Sequence, residues 1–408
     1  MTNPIFRFIV AVAVVGLIAH PRTAGRPSIS DAGRSALSEF LNAHVARGDA
    51  PAIAALVVNR DGVIFEGAAG KRDVANNSPL TLDAIFRIAS MTKPVTSLAV
   101  MMLRDEGKLG LDDPVAKYLP EFDRVRVMTT FNENGIYESR PPSRPILIRH
   151  LLTHTSGIGY SFADPRLAKI DDGKKTTAEM PLLNDPGERF TYGPSTAVLG
   201  KIVEKISSQT LDAFLKQRVF DPLGMRDTFY VVPPDKVGRV VTAHTKTNGT
   251  LVERPNAAAP RSNVAGDGGL FSDARDYGLF MQMWLNGGRL GTARLVKEST
   301  VGEMSANQIG RVVVQTQAAS GGVISKPFPI GAGKDKFGFG FQIETAPADR
   351  ALRSAGSYSW GGINNTHFWI DPQKQIAGVV LMQVLPYYDE RCLDVLRGFE
   401  RLVYQQIR

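Results

Sequence analysis

Two hydrophobic periods share the chain, with apolar strands near both ends and amphipathic helices at both termini and through the middle. Over 29–45, Leu37, Phe40, Leu41 and Val45 fall on one face at the 3.6-residue period, which predicts a helix. Residues 52–59 form a short apolar run with Ile53, Ala55, Val57 and Val58. Asp61-Gly62 then turns the chain into 63–67, a hairpin signal. The helical period returns over 92–106 with Val95, Leu98, Ala99, Met102 and Leu103, and Gly107 suits the C-terminal cap. It repeats over 195–206, where Val198, Leu199, Ile202, Val203 and Ile206 form the stripe, and 211–219 and 273–285 read as further helices. Near the end, 337–343 alternates as a strand, 366–371 and 375–383 pair across Asp371-Pro372-Gln373-Lys374, and 389–407 is a last helix.

Strands at both ends with helices between them predict an α/β fold of the α+β kind. One antiparallel sheet is built from both ends and flanked by the terminal helices, with a mainly helical region inserted. The sheet part covers about 25–88 and 275–408, and the helical part about 89–274. The Gly/Pro-rich stretches 141–145, 255–260 and 321–333 read as irregular segments, not linkers.

Composition narrows the partners. The chain has 408 residues with a formal charge of +8, but its Lys and Arg are scattered. The densest runs, Lys174-Lys175 and those within 22–26, lack interleaved aromatics, so a solvated basic surface is expected and no nucleic-acid partner. A single cysteine, Cys392, excludes an intramolecular disulfide and a multi-cysteine zinc site, and reads as a buried small apolar residue. The six histidines show no HExxH spacing, so no metal or cofactor is implied. At the N-terminus Arg7 precedes a dozen apolar residues, Phe8 to Ala19. This matches a signal peptide or retained anchor within 1–24 and predicts a secreted or periplasmic protein. Cleavage after Ala19 or Ala24 is disfavoured by Leu17 and Arg22 two residues before them. Oligomeric state is open.

The candidate chemistry begins at Ser90-Met91-Thr92-Lys93, where an irregular segment enters the helix over 92–106. Serine is a weak nucleophile until a base takes its proton. A lysine three residues on lies on the same helical face, and burial disfavours its ammonium form. The helix N-terminus adds backbone N–H groups for a developing oxyanion. Pro94 fits only within the first turn. Ser90 is the only serine with lysine at that spacing, yet spacing alone also fits an N-cap serine beside a solvated lysine.

The surroundings weigh on that choice. The segment Phe86-Arg87-Ile88-Ala89-Ser90-Met91-Thr92-Lys93 resembles the nucleophile segment of class C β-lactamases and of the family VIII carboxylesterases that share their fold. Leu151-Leu152-Thr153-His154-Thr155-Ser156-Gly157, Pro186-Gly187-Glu188-Arg189-Phe190-Thr191-Tyr192 with Leu199-Gly200, and Asp221-Pro222-Leu223-Gly224-Met225-Arg226-Asp227-Thr228 look like three further signatures, in family order. The resemblance runs from about Ser30 to Gln406. It implies a β-lactamase/transpeptidase-like fold, an acyl-enzyme on Ser90, and Lys93 and Tyr192 as its proton-handling partners. It also implies an oxyanion hole from the backbone N–H groups of Ser90 and Ile363. Two departures matter. The asparagine expected two residues after Tyr192 is Pro194; the adjacent Ser195 either substitutes toward substrate or caps the next helix. The expected Lys-Thr-Gly strand motif is replaced by Trp360-Gly361-Gly362, and no lysine occurs between Lys336 and Lys374. Tryptophan offers an apolar wall in place of an ion pair, and the two glycines leave room beside the strand.

The expected substrate is therefore a small carboxylic ester or amide, cleaved through an acyl-serine. A β-lactamase, a D-amino-acid peptidase or an acyl transferase on the same fold is the alternative, with Arg353 or Arg261 as possible sources of charge for an anionic substrate. His154 is expected to be structural, since no Gly-x-Ser-x-Gly elbow accompanies it. The run from Gly266 to Ser272 is expected to line the cleft with its backbone.

Overall fold

The computed structural model describes residues 26–318, 324–346 and 352–408. The signal-like segment before residue 25 lies outside them. The chain forms an eight-stranded antiparallel sheet in the order β4-β5-β6-β7-β8-β1-β2-β3. In chain order these are β1 (Ala52–Asn59), β2 (Val63–Asp73), β3 (Ser78–Pro79), β4 (Lys336–Phe337), β5 (Gln342–Ile343), β6 (Tyr358–Gly362), β7 (Thr366–Asp371) and β8 (Ile376–Leu381). The two ends of the chain meet at the centre of the sheet, where β8 pairs with β1 in the register Ala54 with Leu381 through Asn59 with Ile376.

Alternate residues of β1 enter two cores, as a strand buried on both faces must. Ile53, Ala55 and Val57 pack against α1 (Asp31–Ala46) and a terminal helix, Glu390–Gln406, through Leu37, Leu41, Val395 and Phe399. Ala54, Leu56 and Val58 face the larger core, which contains α2 (Thr92–Asp105), α3 (Ser195–Ser207) and α4 (Ala274–Leu285). Every residue of α2 from Thr92 to Leu103 is buried. α4 lies close over β1, because an added Cβ at Gly278 would stand 2.8 Å from Leu56 Cδ2. The helix starts use side-chain caps: Ser30 accepts from the Gly33 N–H at 3.2 Å, and Asp273 from the Asp276 N–H at 2.7 Å.

Two expectations are corrected. The strand expected over 337–343 is a tight hairpin, β4 to β5. Gly338 N–H bonds Phe341 O at 2.8 Å, Gly340 has φ +99°, and a side chain at Gly338 would meet Met304 O at 2.0 Å. The helix expected over 211–219 is Leu211–Leu215 followed by a π-turn, Lys216–Phe220, and the short helix Asp221–Leu223. The mainly helical region also carries two hairpins, Val127–Phe131 with Tyr137–Arg140 and Ala243–Thr247 with Thr250–Arg254.

Candidate active site

The segment before Ser90 is bound from both sides. Phe86–Arg87 pairs with Phe271–Ser272, and the Ile88 N–H donates to Leu270 O at 3.0 Å. Ala89 then takes φ +46°, a left-handed conformation that only a non-glycine held by its surroundings keeps. It opens a 3-10 turn, Ala89–Met91, that runs into α2 and leaves Ser90 half-buried at the junction. Tyr277 OH fixes the turn by donating to Met91 O at 3.1 Å.

Lys93 follows on the buried face and is 1% exposed. Its Nζ donates to Ser90 Oγ at 3.0 Å, to Tyr160 OH at 3.0 Å and to the Asp267 carbonyl at 2.7 Å. Tyr192 OH donates to the same Ser90 Oγ at 2.9 Å. The Tyr192 ring lies beneath the Lys93 amine, with Nζ 4.8 Å from its centroid, and packs between Trp360 at 5.1 Å and His154 at 4.9 Å. Ser90, Lys93 and Tyr192, far apart in the chain, are thus brought to one oxygen.

Two residues at this cluster carried no role in the sequence analysis. Tyr160 accepts from Lys93 and donates its own proton to Asp267 Oδ2 at 2.5 Å. Burial first, then the neighbouring Asp267 carboxylate and Tyr192, push the Tyr160 phenol well above its ordinary range, so it is held neutral. Asp267 lies in the Gly-rich run, pinned between α2 and α3: an added Cβ on Gly266 would lie 2.3 Å from Thr196 O and 2.9 Å from Thr96 Cγ2. The sequence marked that run as cleft backbone, but no motif marked the Asp267 side chain or Tyr160.

Trp360, Gly361 and Gly362 end β6 beside the nucleophile segment. An added Cβ on Gly362 would lie 2.2 Å from Ile88 O, and one on Gly361 would lie 2.4 Å from Tyr387 OH. Close protein packing therefore demands both glycines, where room for substrate was expected. Asn364 Nδ2 donates to Arg87 O at 3.2 Å and Thr366 Oγ1 to Ile88 O at 3.3 Å, so the turn holding Ile363 is tied to the strand that delivers Ser90. Trp360 is 7% exposed and stacks its edge among Tyr192 and Phe337.

Ser195 fills neither role expected of it. It is fully buried as the first residue of α3, its hydroxyl pairs with Ser156 Oγ at 2.8 Å, and the N-cap position belongs to Pro194. His154 is buried with φ +54° among Phe190, Tyr192 and Phe337, and its Nδ1 has no partner among the described residues. Burial, followed by the Lys93 charge, drives its pKa well below the usual imidazole value. A neutral, aromatic-packed ring is a structural part of this site. Arg353 is clamped by Glu400 at 2.9 and 3.0 Å and so is engaged with α5, the helix Glu390–Gln406; Arg261 is exposed. Cys392 is buried in the same helix, and burial pushes its thiol above its ordinary range.

A family model described as Beta-lactamase matches residues 37–401. The chain belongs to the beta-lactamase family. Members of this family near to it include hydrolases and acyltransferases. The chain is 28% identical to the lovastatin esterase of Penicillium rubens, over 84% of this chain and 91% of that protein. It is 29% identical to the monacolin J acid methylbutanoyltransferase of Aspergillus terreus, over 82% of this chain and 86% of the relative. Among solved structures, the unliganded selenomethionyl simvastatin synthase of Aspergillus terreus superposes with a TM-score of 0.79 at 25% identity, covering 92% of this chain and 98% of that one. This beta-lactamase-family chain is an enzyme of the serine-hydrolase type, with the β-lactamase/transpeptidase-like fold that the motifs implied.

Proposed function

We propose that the enzyme cleaves neutral carboxylic esters through an acyl-Ser90 intermediate. The observation that carries this reading is the convergence of Lys93 Nζ and Tyr192 OH on one Ser90 Oγ, at 3.0 and 2.9 Å. Ser90 Oγ attacks the ester carbonyl carbon while its proton passes to neutral Lys93. The carbonyl π electrons move to oxygen, where the N–H groups of Ser90 and Ile363 receive the charge. Collapse breaks the C–O bond, the departing alkoxide takes the Tyr192 proton, and Lys93 restores it. Water then attacks the acyl carbon by the reverse proton route, releasing the acid and regenerating Ser90. No cofactor enters these steps.

A neutral acyl donor is favoured by the composition of the strand wall. Trp360 stands where an anion-binding lysine would, Pro194 offers no side-chain amide, and Arg353 is already engaged by Glu400. The similarity to the lovastatin esterase supports ester cleavage. Hydrolysis of p-nitrophenyl butyrate and nitrocefin distinguishes the readings: the ester is expected to turn over and nitrocefin to be poor. Rapid nitrocefin hydrolysis with negligible ester cleavage would overturn the proposal.

Transfer of the acyl group to an alcohol is a second reading, favoured by the similarity to the methylbutanoyltransferase. It changes only the deacylating nucleophile. Adding an aliphatic alcohol to the ester assay and quantifying the new ester against free acid measures the partition. The signal-like segment before residue 25 supports action outside the cytoplasm.

A further inference from the structure

Lys93 carries a constraint that the three-residue centre does not explain. A neutral primary amine has two N–H donors and one lone pair, and a base must point the lone pair at the proton it takes. Three groups surround Nζ: Ser90 Oγ, Tyr160 OH and the Asp267 carbonyl. The carbonyl can only accept. Tyr160 has committed its single proton to Asp267 Oδ2 at 2.5 Å, so toward Lys93 it also can only accept. Both N–H bonds of the neutral amine are therefore claimed. The remaining direction is the Ser90 contact, where the lone pair meets the hydroxyl proton.

We propose that Asp267 and Tyr160 are a positioning pair that aims the Lys93 lone pair at Ser90. Asp267 acts twice, through its carbonyl on Lys93 and through its carboxylate on Tyr160. The inference rests on the proposed acyl-Ser90 chemistry. The ionisable groups around Lys93 are Tyr160 from the loop after residue 157, Tyr192 before α3, His154 beneath them and Asp267 from the Gly-rich run. Tyr230, whose hydroxyl donates to Ala265 O at 2.8 Å, is the other phenol facing the Asp267 side.

Tyr160→Phe keeps the ring, stacked on Phe162 at 4.6 Å between centroids, and removes only the acceptor. One Lys93 hydrogen then loses its place and the lone pair is free to turn away. We expect kcat to fall on the order of 10²-fold with KM little changed. Asp267→Asn replaces the carboxylate that takes the Tyr160 proton by a weaker, neutral acceptor, so kcat falls while KM is little changed. The double variant is expected to lose no more than the weaker of the two singles, because both act through one nitrogen. Additive losses, or an unchanged kcat in Asp267→Asn, would overturn the pair. Circular dichroism and a thermal melt establish that each variant folds; if Asp267→Asn does not, Tyr160→Phe alone decides, and unchanged kcat refutes the pair. Fluorophosphonate labelling separates this from the parent reading. A wild type that never labels at Ser90 refutes the acyl-serine chemistry, whereas labelling and full activity in Tyr160→Phe refute only the pair.

Discussion

Two basic side chains of this enzyme, Arg353 and Lys93, are each enclosed by protein oxygens, and their surroundings differ in kind. Arg353 is held between carboxylates, with Glu400 bidentate at 2.9 and 3.0 Å and Glu344 at 3.5 Å. Burial alone would lower its pKa, yet those two carboxylates raise it. Lys93 is more deeply enclosed, 1% exposed against 17% for the Arg353 side chain, and its three partners are a serine hydroxyl, a phenol and a backbone carbonyl. A guanidinium clamped by carboxylates is a fixed charge that ties the C-terminal helix to the sheet. An amine held by neutral oxygens can give up a proton and take it back. The difference separates a structural cation from a base suited to chemistry.

The comparison breaks most sharply if Lys93 is made to resemble its counterpart. Lys93→Arg keeps the charge and loses the exchangeable proton. Ester kcat is expected to fall on the order of 10⁴-fold, measured by steady-state hydrolysis, with the fold retained. Arg353→Met should do the converse. It leaves Glu400, 2% exposed, without its main partner and costs about 3–5 kcal/mol in a denaturant titration, while kcat per folded molecule is retained. Trp360→Ala removes the ring against Tyr192 without touching either cation, and about tenfold in kcat/KM for p-nitrophenyl butyrate is the expected loss.

The smallest effect concerns a buried carboxylate lacking such a clamp. Asp273 is pushed up to about 7, first by burial and then by Asp276, and its nearest cation, Arg239, is 3.7 Å away and also bound to Asp227. The folded value lies above the ordinary 3.8, so the folded state binds the proton more tightly. Its contribution to stability is complete below that ordinary value and is lost as pH rises through about 7. Melting temperature should therefore drop as pH is raised from mildly acidic to mildly basic. Asp273→Asn, which retains an acceptor for the Asp276 N–H, should flatten that slope.

Much of this was legible in the residues, for local reasons. Ser90, Lys93 and Tyr192 sit in short motifs whose order survives without any knowledge of packing. The terminal helices announced themselves by period, and β1 by an unbroken apolar run, since it is buried on both faces. The unread parts depend on distant contacts. Tyr160 and Asp267 are 107 residues apart and meet where Gly266 is pressed against Thr196. Ser195 was expected to face substrate or to cap the next helix, but Ser156 draws it inward. The run 337–343 alternates convincingly, yet Gly340 at φ +99° folds it back and Gly338 packs where a side chain would strike Met304 O.

The central claim is that an acyl group passes through Ser90. Quenching the reaction with p-nitrophenyl butyrate within the first turnovers, and weighing the intact protein, tests it directly. The account predicts a butyryl adduct that maps by peptide fragmentation to Ser90, decays with turnover and is absent from Ser90→Ala. Turnover of the ester by Ser90→Ala at the wild-type rate, or an adduct on another residue, would contradict it.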